Sequence, residues 1–210
     1  MTKTTRTLIL LAAAPLLAAQ VAAQATTPRA QRILDDVKYF ASDSLQGRLV
    51  GTAGSDSAAA YAAREFRRLG LRPGGDSGTF FQRWTIASTT GTRAANVADR
   101  PAHNVVAILP GADRRLRRQD IVIGAHFDHL GLGPYGSLSP DSAGRVHNGA
   151  DDNASGTAEV LEIARLLVSA RPRPARTIVF VLFSGEEEGV LGSAYYAEHP
   201  LVPMDSTLAM

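Results

Sequence analysis

The amino-acid sequence predicts an α/β fold: a three-layer α/β/α sandwich whose central sheet is mostly parallel. Residues 121–123 (IVI) and 178–183 (IVFVLF) are continuous apolar runs rather than alternating ones, as expected of strands covered by helices on both faces. Between them, residues 154–170 place Val160, Leu161, Ala164, Leu167 and Val168 at helical intervals, giving a strand, helix, strand unit. The alternation continues with a helix over 189–198 and the opening of a strand at 207–210.

Taken in order, the chain opens with Lys3 and Arg6, an apolar run over 8–19, and small residues at Ala22, Ala23 and Ala25. This layout predicts a secretory signal peptide over 1–24, because the run is shorter than the roughly 20 residues that span a bilayer. The mature product is therefore expected in the periplasm or the medium. In residues 28–41, Ile33, Leu34, Val37, Phe40 and Ala41 recur on one helical face, which predicts a docking helix. Residues 42–54 (SDSLQGRLVGTAG) lack periodicity and read as a loop, which could border the mouth of a site or be ordinary surface. Over 55–69, Ala58, Ala62, Phe66 and Leu69 form the stripe of a second helix, stopped by Gly70.

After a Pro-Gly-Gly turn at 73–75, residues 80–87 and 103–109 have strand composition. The run Arg114, Arg115, Leu116, Arg117, Arg118 links two strands and reads as a solvated turn rather than a nucleic-acid contact. An RPRP segment at 171–174 stops the helix before it. Residues 70–120 leave no room for an inserted domain, so 25–210 is read as one domain, and 45% apolar residues suffice for its core.

The chain has 22 basic and 20 acidic residues, and losing Lys3 and Arg6 with the leader leaves 20 against 20. That neutral balance implies neither a nucleic-acid nor a membrane partner. Cysteine is absent, which excludes disulfides and a cysteine lipid anchor.

Three clusters fall where the alternation places the carboxyl ends of strands, the region where open α/β sheets gather ligands. They are His126-Phe127-Asp128-His129, the stretch 149–156 with Asp151 and Asp152, and Ser184-Gly185-Glu186-Glu187-Glu188. Each has an ordinary explanation on its own: a loop histidine, an acidic helix cap, a solvated glutamate run. Together they supply imidazole and carboxylates at one sheet edge, the ligand set for zinc. Six carboxylates gathered there would repel one another unless cations were present.

The strings GAHFDHLG (124–131), NGADDNASGTAEVLEIARLL (148–167) and RTIVFVLFSGEEEGVLGSAYY (176–196) resemble the signature blocks of metallopeptidase family twenty-eight. These are dinuclear-zinc aminopeptidases, and the entry segment GRLVGTAGS (47–55) is similar as well. The resemblance implies a zinc-exopeptidase-like fold and two zinc ions. It implies that His126 binds one ion, Glu187 the other, and that Asp152 bridges both, with Glu186 as general base. Asp128 is implied to orient the ligand histidine, as second carboxylates commonly do. The peptide bond after Asp152 is often cis in the family. His129, His147, Asp151, Glu188 and His199 have no ligand role in that pattern and are expected to be loop residues, with His147 the one placed to face substrate.

The expected activity is release of N-terminal residues from peptides. A non-catalytic binding domain, a carboxypeptidase and a glutaminyl-cyclase-like enzyme are the alternatives on the same scaffold. The family completes its two coordination spheres with a later aspartate and a late histidine. Asp205 does not fit that position, so residues 1–210 read as C-terminally incomplete and are expected by themselves to bind zinc poorly and to be inactive.

Overall fold

The computed structural model describes residues 30–87, 97–134 and 136–210. The leader over 1–24 lies outside them. Among the described residues, four α-helices, α1 (Ala30–Phe40), α2 (Ala53–Arg68), α3 (Gly156–Ser169) and α4 (Leu191–Glu198), accompany six strands. The strands are β1 (Arg72–Pro73), β2 (Phe81–Thr85), β3 (Pro101–Leu109), β4 (Asp120–His126), β5 (Thr177–Phe183) and β6 (Thr207–Ala209).

The strand order is β1-β3-β5-β4-β6, with β2 also paired to β3. Parallel pairing holds only for β4 with β5 and with β6, and the three pairings β1–β3, β2–β3 and β3–β5 are antiparallel. The sheet is thus mixed where a mostly parallel one was expected. Connection length decides the direction. The link from β3 to β4 stays at one end of the sheet and turns the chain back, whereas α3 carries it across the sheet and makes β5 parallel to β4.

Two cores flank the sheet and make three layers. On one face Phe66 of α2 stacks on Phe180 of β5, and Leu161 and Ala164 of α3 pack with Val105 and Leu182. On the other face Val106, Val122, Val179 and Val181 meet Tyr196 of α4 with Leu201 and Val202. Every residue of β5 is buried, as its unbroken apolar pattern requires of a central strand.

In α1 the expected face docks through Val37 and Phe40, but Leu34 is 45% exposed and Asp36 is buried. Ion pairing accounts for this. Arg165 of α3 donates to Asp36 at 2.6 Å, Tyr61 of α2 donates to the same carboxylate at 2.6 Å, and Arg32 pairs with the buried Glu162. A buried carboxylate so supplied with donors is tolerated in place of an apolar residue.

Candidate functional site

The site is built at the carboxyl ends of β4 and β5. His126 is the last residue of β4, and its carbonyl accepts from Thr157 Oγ1 at 2.9 Å, which fixes the start of α3 beside it. Just before α3, Asn153 Oδ1 accepts from Gly156 N–H at 2.9 Å and caps the turn that presents Asp152. The Asp152–Asn153 peptide bond is cis. Beyond β5, Asn104 holds the third loop: its Oδ1 accepts from Ser184 N–H at 3.1 Å while its Nδ2 donates to Gly192 O and Gln82 Oε1.

These loops bring His126, Asp152 and Glu187 together, with one donor atom from each lying within 4.8 Å of the others. His126 Nε2 is 3.1 Å from Asp152 Oδ1 and 3.9 Å from Glu186 Oε2. Burial pulls the His126 imidazole down, but Asp128, Glu186 and Asp152 outweigh it, and the net shift is upward from the ordinary histidine value. Three anionic or neutral donors facing one point are the chemistry of a zinc site, whose bonds run about 2.0–2.2 Å to nitrogen and oxygen. The residues present therefore fit the metal.

Asp128 is fully buried and faces His126 Nδ1 at 3.7 Å, beyond hydrogen-bond range. Its hydrogen bonds go elsewhere, since Oδ1 accepts from Glu186 N–H at 3.2 Å and Oδ2 from Glu187 N–H at 3.4 Å. It thus ties the histidine loop to the glutamate loop. His129 is no bystander either: its Nδ1 lies 2.6 Å from Glu187 Oε1, and the ring packs under Gly149, where a Cβ would meet it. His147 faces a cavity of about 450 Å³ that is also lined by His129, Leu138, Asp152 and Glu187. His199 stacks on Tyr195, outside that cavity's lining, and Asp151 is exposed with its carbonyl bonded to Ser155 Oγ.

Arg48, in the entry segment, was not singled out by the sequence. It is fully buried, and its guanidinium donates to Phe127 O (2.8 Å), Asn148 O (2.7 Å), Gly149 O (3.0 Å) and Phe40 O. One side chain therefore fixes both the His126–Asp128 loop and the approach to Asp152. Burial lowers Arg48 to about 10, against the pull of Asp128, Glu187 and Asp152, so it remains a cation beneath the carboxylates at neutral pH. Neighbouring Gly47, at φ +70, brings the segment so close that a Cβ would strike the carbonyls of Gly131 and His147. The spacing Gly47-Arg48 within a loop was the available signal, but it carries no chemistry until the loop is docked.

The sequence profile of Peptidase family M28 matches residues 104–210, just over half of the chain. The chain belongs to Peptidase family M28. Leucine aminopeptidase 1 of Arthroderma otae is 31% identical over 133 residues, which are 57% of this chain and 32% of the relative. The chain spans about a third of that relative's length. Two solved structures share the fold with a TM-score of 0.63: a Zn-dependent exopeptidase from Parabacteroides distasonis (21% identical, 84% of this chain and 57% of that one) and a glutaminyl cyclase from Porphyromonas gingivalis (22% identical, 82% and 56%). The family implies zinc, in keeping with the His126, Asp152 and Glu187 donor set.

Proposed function

We propose that this protein works as a secreted or periplasmic aminopeptidase that uses two zinc ions to hydrolyse the first peptide bond of its substrates. The observation that supports this most directly is the meeting of His126, Asp152 and Glu187 within 4.8 Å, with Glu186 beside them. His126 with Asp152 would hold one ion, and Glu187 with Asp152 the other. When bound, such ions lower the pKa of a water and polarise the scissile carbonyl.

The chain's own residues supply the remaining steps. Glu186 is 40% exposed in its side chain and so is free to take a proton from the attacking water and hand it to the leaving amine. Glu187, adjacent in sequence, is instead held by His129 and turned to the metal position. Asp128 keeps the two glutamates apart in role, because it accepts from both of their backbone N–H groups and so sets the turn. The cavity lined by His147 and Leu138 offers room for the substrate's end residue.

The test is chelator-sensitive release of arylamine from aminoacyl arylamides, with zinc analysis of the same sample. Glu186→Gln should lower turnover by about 10²–10⁴ while zinc content stays at the parent level. Zinc lost along with activity in that variant would contradict the division of labour between the two glutamates. An N-terminal glutaminyl peptide belongs in the panel, since a glutaminyl cyclase shares this fold, and release of ammonia without an amino acid would overturn the aminopeptidase reading.

A further inference from the structure

The end of the sheet opposite the metal centre carries an unpaired basic face. Residues 110–119, between β3 and β4, lie beside residues 170–176, between α3 and β5. Ala112 N–H donates to Pro174 O at 2.8 Å, Asp113 N–H to Ala175 O at 3.2 Å, and Thr177 Oγ1 to Arg117 O at 2.8 Å. This contact puts Arg114, Arg115, Arg117 and Arg118 of one loop next to Arg171 and Arg173 of the other, all exposed. Among the described residues, none of the six makes an ion pair.

The acids at this end offset the six arginines only in part. Asp113 is turned onto the N–H groups of Arg115 and Leu116 at 2.7 and 2.8 Å, which holds its carboxyl below the usual range. Asp120 is buried and accepts from Ser206 Oγ at 2.6 Å, and Asp205 lies exposed just before β6. Overall neutrality therefore conceals a segregation of charge. Asp128, Asp152, Glu186 and Glu187 gather at one end of β4 and β5, and the six arginines gather at the other.

We propose that this basic end docks the protein on an anionic membrane surface, with the arginines meeting lipid phosphates. A guanidinium matches phosphate geometry with paired donors, and an array of them gains from many headgroups at once. Nucleic acid fits less well. Neither loop contains an aromatic residue to stack on bases, and the single turn Leu116–Arg118 is too short to fill a groove. No described helix is long and apolar enough to cross a membrane, so the attachment is peripheral. β4 runs seven residues from Asp120 to His126, about 20 Å at strand rise, so docking by this end points the metal centre away from the lipid, toward free peptides.

Sedimentation with phosphatidylcholine vesicles, with and without phosphatidylglycerol, tests the proposal on the purified protein. Binding is expected only when phosphatidylglycerol is present, and it should weaken steeply with salt. The variant R114S/R115S/R117S/R118S should bind about a thousandfold more weakly, with unchanged circular dichroism and melting temperature. Absence of binding, equal binding to both vesicle types, or unaltered affinity in the variant would overturn the proposal. Tighter binding to a DNA duplex than to vesicles at the same salt would overturn it in favour of a nucleic-acid partner.

Discussion

Four backbone carbonyls converge on Arg48, and removing its guanidinium would take that donor from Phe40 O, Phe127 O and Asn148 O, while Gly149 O keeps the Ala154 N–H. At about 1–3 kcal/mol for each buried group left unsatisfied, Arg48→Met should destabilise the protein by at least about 3 kcal/mol in denaturant unfolding. Arg48→Lys keeps the charge but loses the fork that reaches several carbonyls at once, so its loss should be smaller, with zinc affinity still reduced. At this scale the sequence was legible where chemistry restricts residue type. The three imidazole and carboxylate clusters could be picked out because only a few side chains bind zinc and all three fell at one sheet edge, whereas His126, Asp152 and Glu187 within them came from the family resemblance. Arg48 and His129 could not, because their roles depend on contacts made across 79 and 58 residues of chain.

Within the elements, the loop before α3 is the most constrained. Gly149 has φ +56, and a Cβ there would run into the Asp152 carbonyl and the His129 ring. Gly149→Ala should cost about 1–2 kcal/mol from the left-handed backbone alone. Zinc affinity in competition titration should fall further, because Asp152 and His129 must both shift. Asn104 plays the matching part for the β5 loop, and Asn104→Ala should lower the melting temperature by leaving the Ser184 N–H without its acceptor. Helices and central strands followed their hydrophobic spacing closely. Sheet direction did not, since a continuous apolar run records burial on two faces and is silent about which way the neighbouring strand runs.

For the molecule as a whole, a ligand that binds only the folded state adds stability by mass action. Zinc at about a hundred times its dissociation constant should add about 2.7 kcal/mol, and a chelator should reverse the gain. With the family's later aspartate and histidine also present, a melting temperature indifferent to zinc would count against a site that includes His126, Asp152 and Glu187. The three-layer architecture was readable from the alternation of apolar runs and helical stripes. The segregation of charge was not, because it arises only when 110–119 and 170–176 are zipped together.

The threading of residues 47–48 between the two site loops also bears on the order of assembly. Bonds from Arg48 to Phe127, Asn148 and Gly149 close circuits of 79 to 101 residues, contacts that a folding chain makes slowly because distant segments must meet. The histidine and aspartate loops gain their final shape only when the early segment seats. A half-folded copy would thus hold His126 and Asp152 out of register, so the three donors meet only in the completed fold.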